Sequence, residues 1–154
     1  MQSSSKPPRV LAVASSGGHW IQLLRLRPAF EGCDVAFACT EAGNAADVEG
    51  HRFHRIPDAT RWNKVRLVAL ALRLFWVLVR ERPNVVLSTG AAPGFLALRM
   101  AGYLGARTLW IDSIANSEEM SMSGRLIRGH ADLCLTQWEH LSQPEGPHYR
   151  GAVL

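Results

Sequence analysis

Two short clusters of small and hydroxylated residues hold most of the chemistry that this sequence offers. Ser15-Ser16-Gly17-Gly18-His19 follows one aliphatic run, and Ser88-Thr89-Gly90 follows another. Adjacent glycines between a strand and a helix let the main chain approach a ligand, while the N–H groups of the helix start point outward; that geometry suits an anion, usually phosphate. A single loop of this kind reads equally well as an ordinary tight connection. Two of them after adjacent strands could cradle one diphosphate, and the coincidence favours a ligand. His19 falls in the first helical turn, where the positive end of the helix dipole disfavours imidazolium and suits a neutral base or hydrogen-bond donor. Its competing role is that of a polar residue satisfying the turn. Asp112 ends a later aliphatic run, where the ligand-facing residues of open α/β sheets collect.

These residues need a framework to position them. Arg9 to Ala14 reads as a buried strand, and the helical pattern that begins at Trp20 is stopped by Pro28. A second strand spans Asp34 to Cys39, followed by a turn and a short helix across Ala45 to Val48. His51 to Ile56 alternates polar and apolar residues and is ended by Pro57, as expected of a strand nearer the sheet edge. His51 and His54 lie three apart on it and face opposite ways, so no metal site is expected. Further strands are expected at Val85 to Ser88, Ala106 to Asp112 and Asp132 to Thr136, with helices at Phe95 to Leu104 and Gly124 to His130. Strand–helix alternation predicts a single α/β domain of the Rossmann-like, doubly wound kind, with a mostly parallel sheet of about six strands. Residues 1–8 form a polar leader expected to be disordered, 9–141 the domain, and 142–154 a tail without a clear element but with an apolar end.

Length and composition narrow the classes. The 154 residues are 47% hydrophobic and 19% charged, which excludes a disordered chain. The net charge is +4, and all but Lys6 and Lys64 of the 17 cationic residues are Arg, a residue suited to phosphates and carboxylates. Aromatic platforms interleaved with basic residues are missing, so nucleic acid is not an expected partner. Cys33, Cys39 and Cys134 lack CxxC spacing, which argues for a reducing compartment, and the leader has no apolar core of a signal peptide. A cytoplasmic location follows as the expectation.

Val65 to Val79 is nearly all apolar, broken by Arg66 and Arg73. With Arg80 these lie seven apart, on one stripe of a helix. The run is too short to span a bilayer, which takes about 20 residues. Either the helix is buried with its Arg stems reaching water, or it lies in a membrane interface with Phe75 and Trp76 dipping into the acyl boundary and Arg66, Arg73 and Arg80 meeting anionic lipid. The breadth of the apolar face favours the membrane.

Several segments together resemble the acceptor-binding subunit of a split GT-B glycosyltransferase, a family that includes PssD- and EpsE-type polysaccharide proteins and the eukaryotic membrane subunit of the transferase that makes chitobiosyl-diphosphodolichol. The matching segments are Ser15 to His19, Ser88-Thr89-Gly90, Ile111-Asp112-Ser113, Ser121 to Leu126, Ala131-Asp132, Gln137-Trp138 and Tyr149 to Leu154, in the expected order along essentially the whole chain. The Gly17-Gly18-His19 loop is also similar to that of the N-terminal half of MurG-type transferases. This resemblance implies half an enzyme that binds a lipid-diphosphate-linked saccharide at the membrane surface, while a partner subunit carries the UDP-sugar, so that no tightly bound cofactor is expected here. It implies His19 as the base for the acceptor hydroxyl and Asp112 as a residue orienting acceptor hydroxyls. Ser16, Gly17, Gly18, Ser88, Thr89 and Gly90 would hold the acceptor diphosphate. Gly151, Val153 and Leu154 would meet the partner. Asp112 departs from the Glu that is common in the family, and a strand-end Asp capping the next loop is the competing role.

Two other functions compete with this reading. A Rossmann-type cofactor enzyme would use Glu41, near the end of the second strand, on a ribose, but Gly17-Gly18 is not G-x-G-x-x-G. A membrane adaptor without catalysis would need no base at His19. A hydrolase is disfavoured because the chain has no G-x-S-x-G elbow.

Overall fold

The computed structural model describes residues 5–153. Its strands are β1 (Arg9–Ala14), β2 (Asp34–Cys39), β3 (Arg52–Arg55), β4 (Val85–Ser88), β5 (Arg107–Ile111), β6 (Leu133–Thr136) and β7 (His148–Tyr149). Its α-helices are α1 (Gly18–Arg25), α2 (Lys64–Glu81), α3 (Ala91–Tyr103) and α4 (Met122–Ile127). The strands form one sheet in the order β3-β2-β1-β4-β5-β6-β7, and every pairing is parallel. The chain winds outward from β1 in one direction to β3 and from β4 in the other to β7. The order therefore reverses between β1 and β4, where open α/β sheets leave a crevice for ligands at the strands' carboxyl ends.

Alternate side chains of the central strands enter two cores. Val10, Ala12 and Ala14 of β1, with Val35, Phe37 and Cys39 of β2, meet Trp20 and Leu23 of α1 on one face. Leu11, Val13, Ala36 and Ala38 meet Leu70, Leu74, Val77 and Leu78 of α2 and Ala97, Leu98 and Ala101 of α3 on the other. Burial on both faces explains why these strands read as continuous aliphatic runs.

The α/β expectation holds, with two differences. The sheet is wholly parallel where a mostly parallel one is expected, and has seven strands where about six are expected. The seventh lies inside the segment 142–154 that shows no element in its sequence: Leu135 pairs with His148 and Thr136 with Tyr149. A two-residue strand is too short to display an alternation, so its sequence carries no strand signal. Residues 1–4 of the expected leader and Leu154 lie outside the described residues.

Three helices also start earlier than their sequence patterns, α4 at Met122 and not Gly124. α1 begins at Gly18 and α3 at Ala91, four residues before Phe95, because Pro93 is tolerated in a first turn, where its missing N–H costs no helical bond. Gly94 then lets α3 pack directly on β4. An added Cβ there would collide with Ser88 Oγ, lie 2.6 Å from Ser88 Cβ and lie 3.2 Å from the Trp110 ring, all in the core. We expect Gly94→Ala to destabilise the fold by roughly 3 kcal/mol, read as a lowered urea midpoint with unchanged slope.

α2 has two apolar faces. Leu70, Leu74, Val77 and Leu78 are buried against the sheet. Val65, Val68, Leu72, Phe75, Trp76 and Val79 form a second stripe that is exposed, Val65 by 81% and Leu72 by 67%. Arg73 Nε donates to the Arg55 carbonyl at 3.1 Å, and the Arg73 and Arg80 guanidinium groups sit 4.6 and 5.5 Å from the Trp76 ring centroid. Among the described residues, no helix is long and apolar enough to cross a membrane.

Candidate functional site

The loops that follow β1 and β4 lie side by side at the carboxyl ends of paired strands, and three contacts stitch them together. His19 Nδ1 lies 3.0 Å from the Thr89 carbonyl oxygen. Thr89 Oγ1 donates back to the His19 carbonyl at 2.6 Å. Gly90 passes directly beneath the imidazole, so close that an added Cβ would overlap Nδ1 and lie 2.5 Å from Cε1. Its φ of 145° is also one that side-chain-bearing residues rarely adopt. Glycine is therefore required at this position both by space and by backbone.

The Thr89 contact selects the tautomer of a neutral His19 ring. A carbonyl oxygen can only accept, so Nδ1 carries a proton, and in a neutral ring Nε2 is the nitrogen that keeps the lone pair. Nε2 has no partner among the described residues. The half-buried ring is thus held in one orientation, with Nε2 unengaged among the described residues.

The helix starts on either side of His19 are alike. α1 is preceded by Gly17 (φ 73°) and α3 by Gly90, and neither has a side-chain cap. In contrast, α2 is capped by Asn63, whose Oδ1 accepts from Arg66 N at 3.1 Å, and α4 by Ser121, whose Oγ accepts from Gly124 N at 2.9 Å. The first N–H groups of a helix have no intrahelical acceptor. Those of Gly18 and His19 on α1, and of Ala91 and Ala92 on α3, are consequently available to an anion at the sheet's switch point.

The six residues implied as a diphosphate cradle divide into two groups. Ser16, Gly17 and Gly18 are exposed, and Ser16 N–H is held by Thr40 Oγ1 at 3.0 Å. Ser88 and Thr89 are fully buried beneath the loops. The Ser88 hydroxyl accepts from Gly90 N at 3.1 Å, and that of Thr89 is committed to His19 O. These two hydroxyls brace the loops from below instead of lining the crevice, and what the β4 loop presents is main chain.

Asp112 is likewise a buried hub. Its Oδ1 accepts from Trp110 Nε1 at 3.0 Å and Ser121 Oγ at 2.5 Å, and its Oδ2 from Ser121 N at 2.9 Å and Asn116 Nδ2 at 3.3 Å. Four donors from its own strand and the following loop account for both oxygens, which is the loop-capping alternative. Burial pushes the nearby Cys134 thiol up to about 12, and the Asp112 charge adds to the effect against an opposing contribution from Arg128. Glu41 is also engaged locally, with Oε1 accepting from Gly43 N at 3.3 Å.

Two residues without an assigned chemical role in the sequence are central here. Gln22 of α1 and Gln137 after β6 are both buried, and Gln137 Nε2 donates to Gln22 Oε1 at 2.6 Å. The available signal was a polar residue between apolar neighbours on the inward arc of a short helix. Of the tail residues, Gly151 is exposed and Val153 half-buried. Arg66 and Arg73, with Arg55 and Thr40, line a pocket of about 480 Å³ beside the β1 loop.

Comparison with known proteins agrees with this architecture. The chain is 24% identical to the UDP-N-acetylglucosamine transferase subunit ALG14 of Mus musculus, across 88% of this chain and 77% of that protein. It is 26% identical to the subunit of the same name from Eremothecium gossypii, across 89% and 76%. In structure it superposes on MurG of Acinetobacter baumannii with a TM-score of 0.75 at 15% identity, covering 95% of this chain and 46% of that one. A putative UDP-N-acetylglucosamine 2-epimerase from Listeria monocytogenes gives 0.65 at 14% identity, covering 85% of this chain and 39% of its own. At such identities these two structures show the fold alone, and the chain spans less than half of either. The family model described as "Oligosaccharide biosynthesis protein Alg14 like" matches residues 51–153, well over half of the chain, and the chain therefore belongs to the Alg14-like family of glycosyltransferase subunits.

Proposed function

We propose that this chain is the acceptor-binding, membrane-recruiting subunit of a two-component, UDP-sugar-dependent glycosyltransferase, which adds a sugar to a lipid-diphosphate-linked saccharide in bacterial polysaccharide biosynthesis. The observation that carries the reading is the pair of uncapped helix N-termini, joined through His19 and Thr89 at the point where the strand order reverses. Two such ends side by side suit a group with two anionic phosphates. His19 Nε2 then removes the proton of the acceptor hydroxyl as that oxygen bonds to the sugar C1 and the C1–O bond to UDP breaks, a single inverting displacement.

The donor site belongs to a partner subunit, and the pair is active where either chain alone is not. Residues Gly151, Val153 and Leu154 contribute to the partner surface. The exposed stripe of α2, with Phe75 and Trp76 flanked by Arg66, Arg73 and Arg80, rests on the cytoplasmic face of the inner membrane, which makes the chain a peripheral protein.

Titration with a short-chain prenyl-diphosphate saccharide tests the cradle. Backbone amide resonances of Gly18, His19, Ala91 and Ala92 should shift together, while those of Arg82 and Asn84 at the opposite end of the sheet stay in place. Shifts that avoid both loops would contradict the reading. The membrane surface is tested separately: Leu72→Glu with Phe75→Glu should lower cosedimentation with anionic vesicles at least tenfold, since each lost burial corresponds to about 1.5–3 kcal/mol. Unchanged vesicle binding would remove α2 from the membrane.

A further inference from the structure

A chain of buried amides runs from the C-terminal tail to the helix that carries His19. Val153 N–H donates to Gln137 Oε1 at 2.8 Å. Gln137 Nε2 donates to Gln22 Oε1 at 2.6 Å and to the Asp112 carbonyl at 3.0 Å. Gln22 Nε2 donates to Ser113 Oγ at 3.0 Å, and Gln22 Oε1 also accepts from Ile114 N at 3.2 Å. Gln22 is 6% and Gln137 5% exposed.

The polarity of this chain has one solution. A main-chain N–H can only donate, so Val153 turns the Gln137 oxygen toward the tail and the Gln137 NH2 toward α1. That NH2 in turn requires the Gln22 oxygen, and the Gln22 NH2 is left facing Ser113. The Val153 carbonyl is held as well, by Arg25 Nη1 of α1 at 3.3 Å. Both polar groups of one tail residue are thereby tied to the helix of His19, one directly and one through Gln137. Gln22 follows His19 by three residues and shares its side of the helix. Removing Val153 leaves the Gln137 oxygen buried without this donor, a state that buried amides leave by turning. Turning Gln137 sets its oxygen against Gln22 Oε1 and so presses on Gln22, which Ile114 N and Ser113 Oγ still hold.

We propose that Gln22 and Gln137 are positioning residues for His19, through which the tail at Val153 sets the orientation of the histidine, so that whatever holds the tail also readies the base. This rests on His19 being the base of the proposed transferase. A partner that docks on the tail would then act on the chemistry and not only on assembly, which gives a physical reason for the subunit to depend on its partner.

The test is the imidazole nitrogen spectrum of His19 in the isolated chain, with exposed His51 as internal reference. We compare wild type, a chain ending at Gly151, Gln137→Leu, and the two changes combined. Truncation and Gln137→Leu should each move the His19 signals in the same way. The double variant should add nothing further, because both break one connection. His19 signals unmoved by truncation, or shifts that add independently in the double variant, would overturn the coupling. Should Gln137→Leu fail to fold, truncation decides alone, since it removes only Ala152, Val153 and Leu154. The spectrum needs no transfer activity: a coupled His19 whose replacement leaves transfer intact would refute the proposed base and leave the coupling standing.

Discussion

His19→Ala should lower sugar transfer by the assembled pair roughly 10²–10⁴-fold, the range lost when a positioned base is removed. The chain should still fold and bind its partner, because the side chain contributes one polar contact to the structure, that with the Thr89 carbonyl. The expected signature is a fall in kcat with little change in KM for the acceptor. Gly90→Ala should reach the same endpoint by another route. Its Cβ would occupy the space of the His19 ring and drive the base from its place without altering a reactive group. Retention of activity by His19→Ala would leave a membrane adaptor as the better reading.

Asp112→Asn should lower stability rather than chemistry. Asp112 accepts from Trp110, Ser121 twice and Asn116, and an amide has one acceptor oxygen for these four donors. Two of them would face an NH2. The cost should be about 3 kcal/mol, allowing for hydrogen bonds to a buried charge. That corresponds to a fall in Tm of about 6–12 °C for a domain of this size. Transfer per folded molecule should stay within about tenfold of wild type. Full stability with lost transfer would return Asp112 to the catalytic role that the family resemblance implies.

These two residues also show where sequence reading reached and where it stopped. His19 stood out because its glycine pair is matched by a second small-residue loop after an adjacent strand, and the strand–helix alternation around it set the sheet. Asp112 was located at a strand end, but position alone does not distinguish a carboxylate facing a ligand from one facing its own loop. The difference lies in Ser121 and Asn116, nine and four residues further on, whose side chains return to it only in three dimensions. Ser88 and Thr89 were legible as small hydroxylated residues, not as braces pointing away from the crevice, since orientation at a strand end depends on the residues packed beneath. The α2 sequence showed too many apolar residues for one packed face, and the fold divides them into a buried and an exposed stripe. Gln22, Gln137 and β7 depend on contacts between distant segments, which a local pattern does not encode.

The measurement that bears most directly on the central claim is transfer of a radiolabelled sugar from UDP-sugars to lipid-diphosphate acceptors in membranes. It compares the chain alone, the chain with a candidate donor-binding subunit, and the same pair carrying His19→Ala. Transfer by the wild-type pair, with none from the chain alone and little from the variant pair, is the result expected. Transfer by the chain alone would place a donor site within these 154 residues and contradict the two-subunit account.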